Sequence, residues 1–199
     1  MANSKPKVTL SAAITLDGKI GQKNKHIVLS SKSDKIRVHK LRAKYDAILV
    51  GKNTVQQDDP LLTVRYAKGK NPIRIILDSD GTIKNDSRII KTCKHVSTII
   101  VVSELVSKSN LNRLQKLSID VIVCGKTQVN ITKLLSILSK KGIKTVLLEG
   151  GGTLNRSFLK KNLIDEMIIA LTPYVLGSKN TVSLFEGLSF PSLKIKFPL

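Results

Sequence analysis

The 199-residue chain has no tryptophan, and its aromatic content is only 4%. Proteins that bind single-stranded nucleic acids stack bases on aromatic side chains, so this composition does not favour that class. No apolar run approaches the roughly 18 residues that a membrane-spanning helix needs. The amino terminus, M-A-N-S-K-P-K, leads straight into a predicted strand and lacks the apolar segment of a signal peptide. We therefore expect a cytoplasmic protein without a membrane partner.

Potential metal ligands and nucleophiles are scarce. Cys93 and Cys124 lie far apart without metal-binding spacing, which predicts two reduced thiols. The histidines, His26, His39 and His95, are scattered, which favours surface or locally hydrogen-bonded imidazoles over a metal site. No G-x-S-x-G motif is present, and neither cysteine has an obvious histidine partner. The sequence thus predicts neither a metal centre nor a nucleophilic site.

Acidic residues are few, with 14 Asp and Glu against 34 Lys and Arg, which gives a formal net charge of +20. Such an excess attracts anions and would support non-specific nucleic-acid binding. The lysines, however, occur mostly singly or in pairs along the chain and form no basic block. We interpret them as a lysine-rich surface without a specific nucleic-acid partner, and keep a basic nucleic-acid-binding protein as the alternative.

The most informative segment is residues 144–158, K-T-V-L-L-E-G-G-G-T-L-N-R-S-F. Apolar residues lead into Glu149, three glycines follow, and Leu154, Phe158 and Leu159 have helical spacing. This pattern predicts a buried strand, a turn and a helix N-terminus, where free backbone N–H groups and the helix dipole bind anions. An ordinary tight turn is the alternative, because neither the Rossmann nor the P-loop glycine fingerprint is present.

Apolar strands alternate with amphipathic helices along the chain. Strands are predicted at residues 7–16, 46–50, 73–79, 98–103, 119–124, 143–148 and 165–171. Ser31 is a predicted N-cap of a helix over Lys32 to Lys44, with a modest apolar face of Ile36, Leu41 and Ala43. Asn130 is the predicted N-cap of a second helix, and Leu111, Leu114 and Leu117 indicate a third. The order predicts one α/β domain over residues 1–199, with a mainly parallel central sheet between two layers of helices.

Polar residues and glycines collect where these strands end. They are Asp17-Gly18, Gly51 to Asp58, Asp78-Ser79, Cys124-Gly125 and Glu149 to Thr153. Ligands of open parallel sheets bind beyond the carboxyl ends of the strands. An anion-binding backbone with a few carboxylates and no nucleophile suits redox chemistry, in which a cofactor carries the hydride.

Several motifs occur in one order: S-A-A-I-T-L-D-G-K-I, D-A-I-L-V-G-K-N-T-V-Q-Q-D-D-P-L-L-T-V-R, N-P-I-R-I-I-L-D-S, L-L-E-G-G-G-T-L-N-R and T-P-Y-V-L-G-S. Together they closely resemble the riboflavin-biosynthesis pyrimidine reductases, which have a dihydrofolate-reductase-like fold. The resemblance covers roughly residues 7–180, and the T-V-x-x-D-D-P-x-L-T-V-R block is its most specific part. With no deaminase domain in the chain, it is most similar to the stand-alone form of archaea and fungi.

The resemblance implies an NADPH-dependent reduction, with NADH as an open alternative. Hydride would pass to C1′ of the ribosylamino group of 2,5-diamino-6-ribosylamino-4(3H)-pyrimidinone 5′-phosphate and give the ribitylamino product. The deaminated substrate, 5-amino-6-ribosylaminouracil 5′-phosphate, remains an alternative, as does another pteridine or dihydrofolate reductase.

The resemblance also implies roles for individual residues. Glu149 would be catalytic and would assist opening of the sugar ring. Arg42 and Arg65 would be substrate contacts, which we interpret as phosphate clamps because a guanidinium fits phosphate oxygens bidentately. The other substrate-binding candidates are Leu62 and Ser11. The cofactor-binding candidates are Ala13, Thr54, Asp58, Ser79, Gly151, Gly152, Thr153 and Leu154.

Some of these residues have simpler interpretations. Asp58 or Asp59 would cap the following turn, a role we expect of Asp59, and Arg65 would be an exposed charge at a strand end. Asp17 is expected to be structural. Two features depart from the family: no aromatic residue precedes the first helix, and the chain ends at K-I-K-F-P-L where relatives continue through closing strands. The family's usual homodimer is expected, although missing closing strands would leave a sheet edge uncovered.

Overall fold

The computed structural model describes residues 5–25, 27–177 and 179–189. Within these ranges the chain forms strands and helices in close alternation. The strands are β1 (Lys7–Ile14), β2 (Lys19–Gln22), β3 (Ala47–Gly51), β4 (Ile73–Leu77), β5 (Thr98–Val102), β6 (Asp120–Val123), β7 (Thr145–Leu148), β8 (Glu166–Leu171) and β9 (Thr181–Ser183). The helices are α1 (Lys32–Lys44), α2 (Lys52–Asp58), α3 (Arg88–Lys91), α4 (Lys108–Gln115), α5 (Ile131–Lys140) and α6 (Gly152–Lys160).

Seven of these strands form one sheet, in the order β6-β5-β4-β3-β7-β1-β8. Every neighbouring pair in it is parallel. Parallel neighbours need crossover connections, and the helices between the strands supply them. The strands β2 and β9 form a separate antiparallel pair.

The two faces of the sheet carry two hydrophobic clusters. Along β3, Ala47 and Leu49 belong to one cluster, whereas Ile48 and Val50 belong to the other, as the alternation of side chains in a strand requires. The first cluster continues into α5 and α6, and the second into α2, α3 and α4. The predicted three-layer α/β fold with a parallel central sheet is confirmed.

The predicted strands agree with the observed ones to within two residues at each end. Both predicted N-caps are confirmed, because Ser31 Oγ accepts a hydrogen bond from Asp34 N and Asn130 Oδ1 accepts one from Lys133 N. Leu117, in contrast, lies beyond the end of α4. The sequence did not predict the short elements β2, α2, α3 and β9.

The predicted apolar face of α1 is not what the helix buries. Ile36, Leu41 and Ala43 are only partly buried, and the buried residues of α1 are His39 and Arg42. These two side chains lie three positions apart and therefore on the same side of the helix. The most buried side chains of α1 are thus polar ones.

β8 is an outer strand of the sheet among the described residues. The chain end K-I-K-F-P-L, on which the expectation of missing closing strands rests, lies outside the described residues, as does His26. At the amino ends of β4, β5 and β6, a cavity of about 740 Å³ opens between residues such as Ser97, Thr98 and Asp120. No helix in the described part of the chain is long and apolar enough to cross a bilayer.

Candidate active site

Glu149 directly follows β7 and forms a bidentate ion pair with Arg42 of α1. Arg42 Nε donates to Glu149 Oε1 at 2.9 Å, and Arg42 Nη2 donates to Oε2 at 2.7 Å. The Arg42 side chain is 11% exposed and that of Glu149 is 13% exposed. Burial works against the Arg42 cation, but Glu149 outweighs it and raises the Arg42 pKa above its ordinary value. The pair joins residues 107 positions apart in the sequence.

Arg42 also reaches the segment of residues 61–66, which follows α2. Its Nη1 donates to the Thr63 carbonyl oxygen at 3.3 Å, and Arg65 Nη1 donates to Thr63 Oγ1 at 2.8 Å. Arg42 is therefore engaged by protein oxygens on all three of its nitrogens. Of the two arginines interpreted as phosphate clamps, Arg65 is the exposed one.

His39 supports the same segment from α1. Its Nδ1 accepts the backbone N–H of Arg65 at 2.7 Å and that of Tyr66 at 3.3 Å. The Tyr66 ring packs edge-on against the imidazole, with centroids 4.7 Å apart. Burial, followed by the charges of Arg42 and Arg65, lowers the His39 pKa to about 4, so the ring is neutral near pH 7.

The glycine turn after Glu149 brings two helix N-termini together. Gly150 has a φ of 87°, a conformation that glycine adopts without steric cost, and its carbonyl oxygen accepts from Gly51 N at 2.9 Å. Gly51 is the N-cap residue of α2 and Gly151 that of α6, and neither helix has a side-chain cap. A Cβ atom added to Gly151 would lie 3.3 Å from Thr54 Oγ1. Uncapped first-turn amides with a hydroxyl beside them suit an anionic ligand.

Gly152 has a packing role within this turn. A Cβ atom at this position would collide with the carbonyl oxygen of Ser183 and approach Glu186 Cβ to 3.0 Å. Glu186 N also donates to the Gly152 carbonyl oxygen at 3.2 Å. The β9 segment therefore covers this residue, whereas Thr153 is exposed and Gly151 and Leu154 are partly exposed.

Other cofactor-binding candidates lie at neighbouring strand ends. Ser79 follows β4, and its Oγ accepts from Val129 N at 3.3 Å. Lys52, at the start of α2, lies 3.6 Å from Asp78 Oδ1 and 3.2 Å from Asp80 Oδ2. Ala13 is partly buried near the carboxyl end of β1.

The two carboxylates of the D-D-P motif occupy different positions. Asp58 is the last residue of α2 and Asp59 is its C-cap, with a φ of 38°. Asp59 Oδ1 accepts from Arg88 N at 2.8 Å, at the N-terminus of α3. Asp59 was expected to cap the turn that directly follows it, but its carboxylate instead caps α3, which begins 29 residues further on.

The remaining substrate-binding candidates are buried. Leu62 is 2% exposed and packs in the second cluster, so its side chain faces the core and only its backbone could contact a ligand. Ser11, on β1, is 5% exposed, and its Oγ has no hydrogen-bond partner among the described residues. Asp17 accepts from Thr15 Oγ1 and from the amides of Leu176 and Gly177, as expected of a structural residue.

The observed contacts join some predicted residues and leave others apart. Arg42, Glu149 and Arg65 form one network through Thr63, and Thr54 lies beside Gly151. Ser79 and Ser11 join neither group. Sequence reasoning missed His39, Thr63 and Lys52. His39 could have been found from its spacing to Arg42, because both lie on one side of a helix that has little apolar character. No group of three or more potential metal ligands occurs in the described part of the chain.

The site can be compared with known proteins. The family model described as the RibD C-terminal domain matches residues 6–198. The 2,5-diamino-6-ribosylamino-4(3H)-pyrimidinone 5′-phosphate reductase of Aquifex aeolicus is 36% identical over 195 residues, which cover 96% of this chain and 87% of that protein. The reductase of the same name from Methanothermobacter thermautotrophicus is 39% identical over 186 residues, covering 92% and 85%.

The fold is also similar to that of a solved reductase structure. The riboflavin biosynthesis reductase Rib7 of Saccharomyces cerevisiae is similar with a TM-score of 0.74 and 25% identity, over 93% of this chain and 80% of that one. The resemblance to pyrimidine reductases inferred from the motifs is confirmed. The chain belongs to the RibD C-terminal domain family.

Proposed function

We propose that this chain is an NADPH-dependent reductase that converts 2,5-diamino-6-ribosylamino-4(3H)-pyrimidinone 5′-phosphate to its ribitylamino product. The main support is its family, because two relatives that it matches over most of their length carry the name of this reductase. The buried Arg42–Glu149 pair beside the glycine turn adds geometric support, since it brings a carboxylate close to an anion-binding backbone.

The cofactor proposal depends on the turn between β7 and α6. Bound NADPH would supply the hydride. The first-turn amides of α6 at Thr153 and Leu154, with the Thr54 hydroxyl beside Gly151, suit its pyrophosphate. Ser79 and Lys52, at the ends of β4 and β3, extend this edge toward the rest of the cofactor.

Glu149 is the residue that faces the reacting sugar in this proposal. Two hydrogen bonds from Arg42 fix its orientation, and its oxygens have further lone pairs available for the substrate. Ring opening of a ribosylamine forms a C1′=N bond as the bond between C1′ and the ring oxygen breaks. The released oxygen takes a proton from solvent and becomes a hydroxyl group, while the N–H proton stays on the nitrogen. A fixed negative charge stabilises the protonated C1′=N group, and the positive charge makes C1′ a better hydride acceptor.

The substrate phosphate is assigned to Arg65. Arg65 is an exposed residue, and no ion pair found among the described residues includes it. Arg42, in contrast, binds Glu149, so its part in the site is to position that carboxylate.

The decisive test is cofactor oxidation started by the ribotide. Purified protein with NADPH should lose the near-ultraviolet absorbance of the reduced cofactor when the diaminopyrimidine ribotide is added, and this loss should be about 100-fold slower with Glu149→Gln. Turnover only with the deaminated ribotide, or with dihydrofolate, would select one of the alternative substrates. Salt-dependent DNA binding without any NADPH binding would instead favour the nucleic-acid alternative.

The proposal also includes that the chain forms a homodimer in the cytoplasm. Leu171 of β8 and the neighbouring Tyr174 and Val175 are each more than half exposed. An outer strand with exposed apolar side chains favours pairing with another chain. Light scattering of the purified chain should give twice the monomer mass, and a monomeric mass at micromolar concentration would contradict this part.

A further inference from the structure

His39 is buried in α1 beside the proposed phosphate-binding segment, yet the chemistry proposed above does not use it. The side chain is 4% exposed. Its Nδ1 is close to two consecutive backbone N–H groups, those of Arg65 and Tyr66. This shared acceptor fixes the backbone of Arg65 and Tyr66, because a backbone shift would leave the imidazole nitrogen and the two amides without their hydrogen bonds.

Only one form of the imidazole can make these bonds. Nδ1 must be unprotonated to accept a hydrogen bond, so the neutral ring carries its proton on Nε2. The low pKa of His39, about 4, agrees with this form. A leucine of similar volume would fill the space but offer no acceptor, whereas an asparagine would carry the acceptor Oδ1 directly bonded to Cγ, as Nδ1 is in histidine.

The residue held by this contact is the exposed cation of the site. Arg65 Nη1 binds Thr63 Oγ1, and the Arg65 Cζ lies 5.9 Å from the Tyr66 ring centroid. Its pKa is lowered by partial burial and then by the charge of Arg42, with a smaller effect of Arg88. Arg42 and Arg88 thus both add positive potential at Arg65, which favours an anionic ligand there.

We propose that His39 is a positioning residue for the phosphate group of the substrate, which fixes the Arg65–Tyr66 backbone so that the Arg65 guanidinium is presented to that phosphate. This inference rests on the proposed reductase function. A purely structural histidine would stabilise the fold without a selective effect on substrate affinity, and the two roles differ in what they change.

The test compares two substitutions of His39 with a matched control. Asp46 provides the control, because its Oδ2 also accepts two consecutive amides, those of Lys144 and Thr145, both at 2.9 Å, at the amino end of β7. His39→Leu should raise the KM for the ribotide about tenfold, which is the loss expected when a phosphate contact is misplaced. The kcat and the KM for NADPH should stay within about twofold, and His39→Asn should recover most of the lost affinity.

The Asp46→Ala control and an Arg65→Met background distinguish a positioning role of His39 from a purely structural one. Asp46→Ala should lower the unfolding midpoint without changing the KM for the ribotide. In an Arg65→Met background, His39→Leu should have no further effect on that KM, because both changes remove one contact. A wild-type KM in His39→Leu, or an equal rise with and without Arg65, would overturn the proposal.

A failure of the proposed function is recognised separately. If the wild-type protein does not reduce the ribotide, binding of ribose 5-phosphate to the same variants, measured by calorimetry, replaces the kinetic assay. Weaker binding in His39→Leu with recovery in His39→Asn would support the positioning role, and equal binding in all variants would overturn it. If His39→Leu does not fold, His39→Ala takes its place with and without Arg65→Met, and a wild-type KM in His39→Ala would also overturn the proposal.

Discussion

The buried pair of Arg42 and Glu149 gives the strongest prediction for the stability of this protein. The two side chains share two charge-assisted hydrogen bonds and are almost completely removed from water. Arg42→Met leaves a buried carboxylate without its partner, and Glu149→Gln leaves a buried guanidinium with only part of its partners. Each single change should lower the free energy of unfolding by about 3 kcal/mol.

The double variant measures the interaction between the two side chains. Because Arg42→Met and Glu149→Gln together remove both charges, the double variant should lose about as much as one single variant, which gives a coupling of about 2–3 kcal/mol. For a chain of this length, about 3 kcal/mol corresponds to a decrease of about 10 °C in Tm. Urea unfolding should be followed by circular dichroism, because the chain contains no tryptophan.

A surface pair provides the matched comparison. Lys141 Nζ lies 3.3 Å from Asp120 Oδ2, and the two side chains are 45% and 65% exposed. A double-mutant cycle on this pair should give a coupling free energy of about 0–1 kcal/mol. If the coupling between Arg42 and Glu149 is equally small, the pair does not persist in solution and Glu149 is not held by α1. The same Arg42→Met variant should also lose kcat, since Glu149 would no longer be oriented.

Three further predictions concern the same region. Glu149→Gln should lower kcat by about 100-fold with little change in the Kd for NADPH; a large loss of NADPH binding with normal turnover would assign Glu149 to the cofactor. Gly152→Ala should destabilise the fold by about 1–3 kcal/mol, because its Cβ would collide with Ser183, and a wild-type urea midpoint would contradict this packing. The folded pKa of His39, about 4, lies below its usual 6.5, so unfolding should become easier as pH falls through this window, by up to about 3 kcal/mol in total. His39→Asn should remove that part of the pH dependence of unfolding, and an unchanged slope would show that other groups cause it.

Local patterns in the sequence were sufficient for most of the fold. The parallel strands were predictable because each is a short apolar run, and burial on both faces requires such runs. The N-caps at Ser31 and Asn130 were predictable because a capping side chain acts on an amide only three residues away. The turn between β7 and α6 was predictable because three consecutive glycines mark it. Gly150 adopts a positive φ, which glycine accepts without steric cost.

Elements without a local apolar pattern were not predictable. The helix α2 has the polar sequence K-N-T-V-Q-Q-D, of which only Val55 is buried. The strands β2 and β9 are separated by most of the chain, and neither has a clear alternation. Their pairing results from the folding of the sheet, which brings the segment after β8 back to the turn that follows β1.

The site divides in the same way. The sequence by itself determined that Glu149 and the three glycines lie between a strand end and a helix start, and its motifs indicated the family and the two arginines. Only the tertiary structure decided that Arg42 binds Glu149, that Gly152 is covered by β9, and that His39 holds Arg65. The physical reason is distance along the chain: local hydrogen bonds depend on spacing, whereas a contact across 107 residues depends on how α1 packs against the carboxyl end of β7.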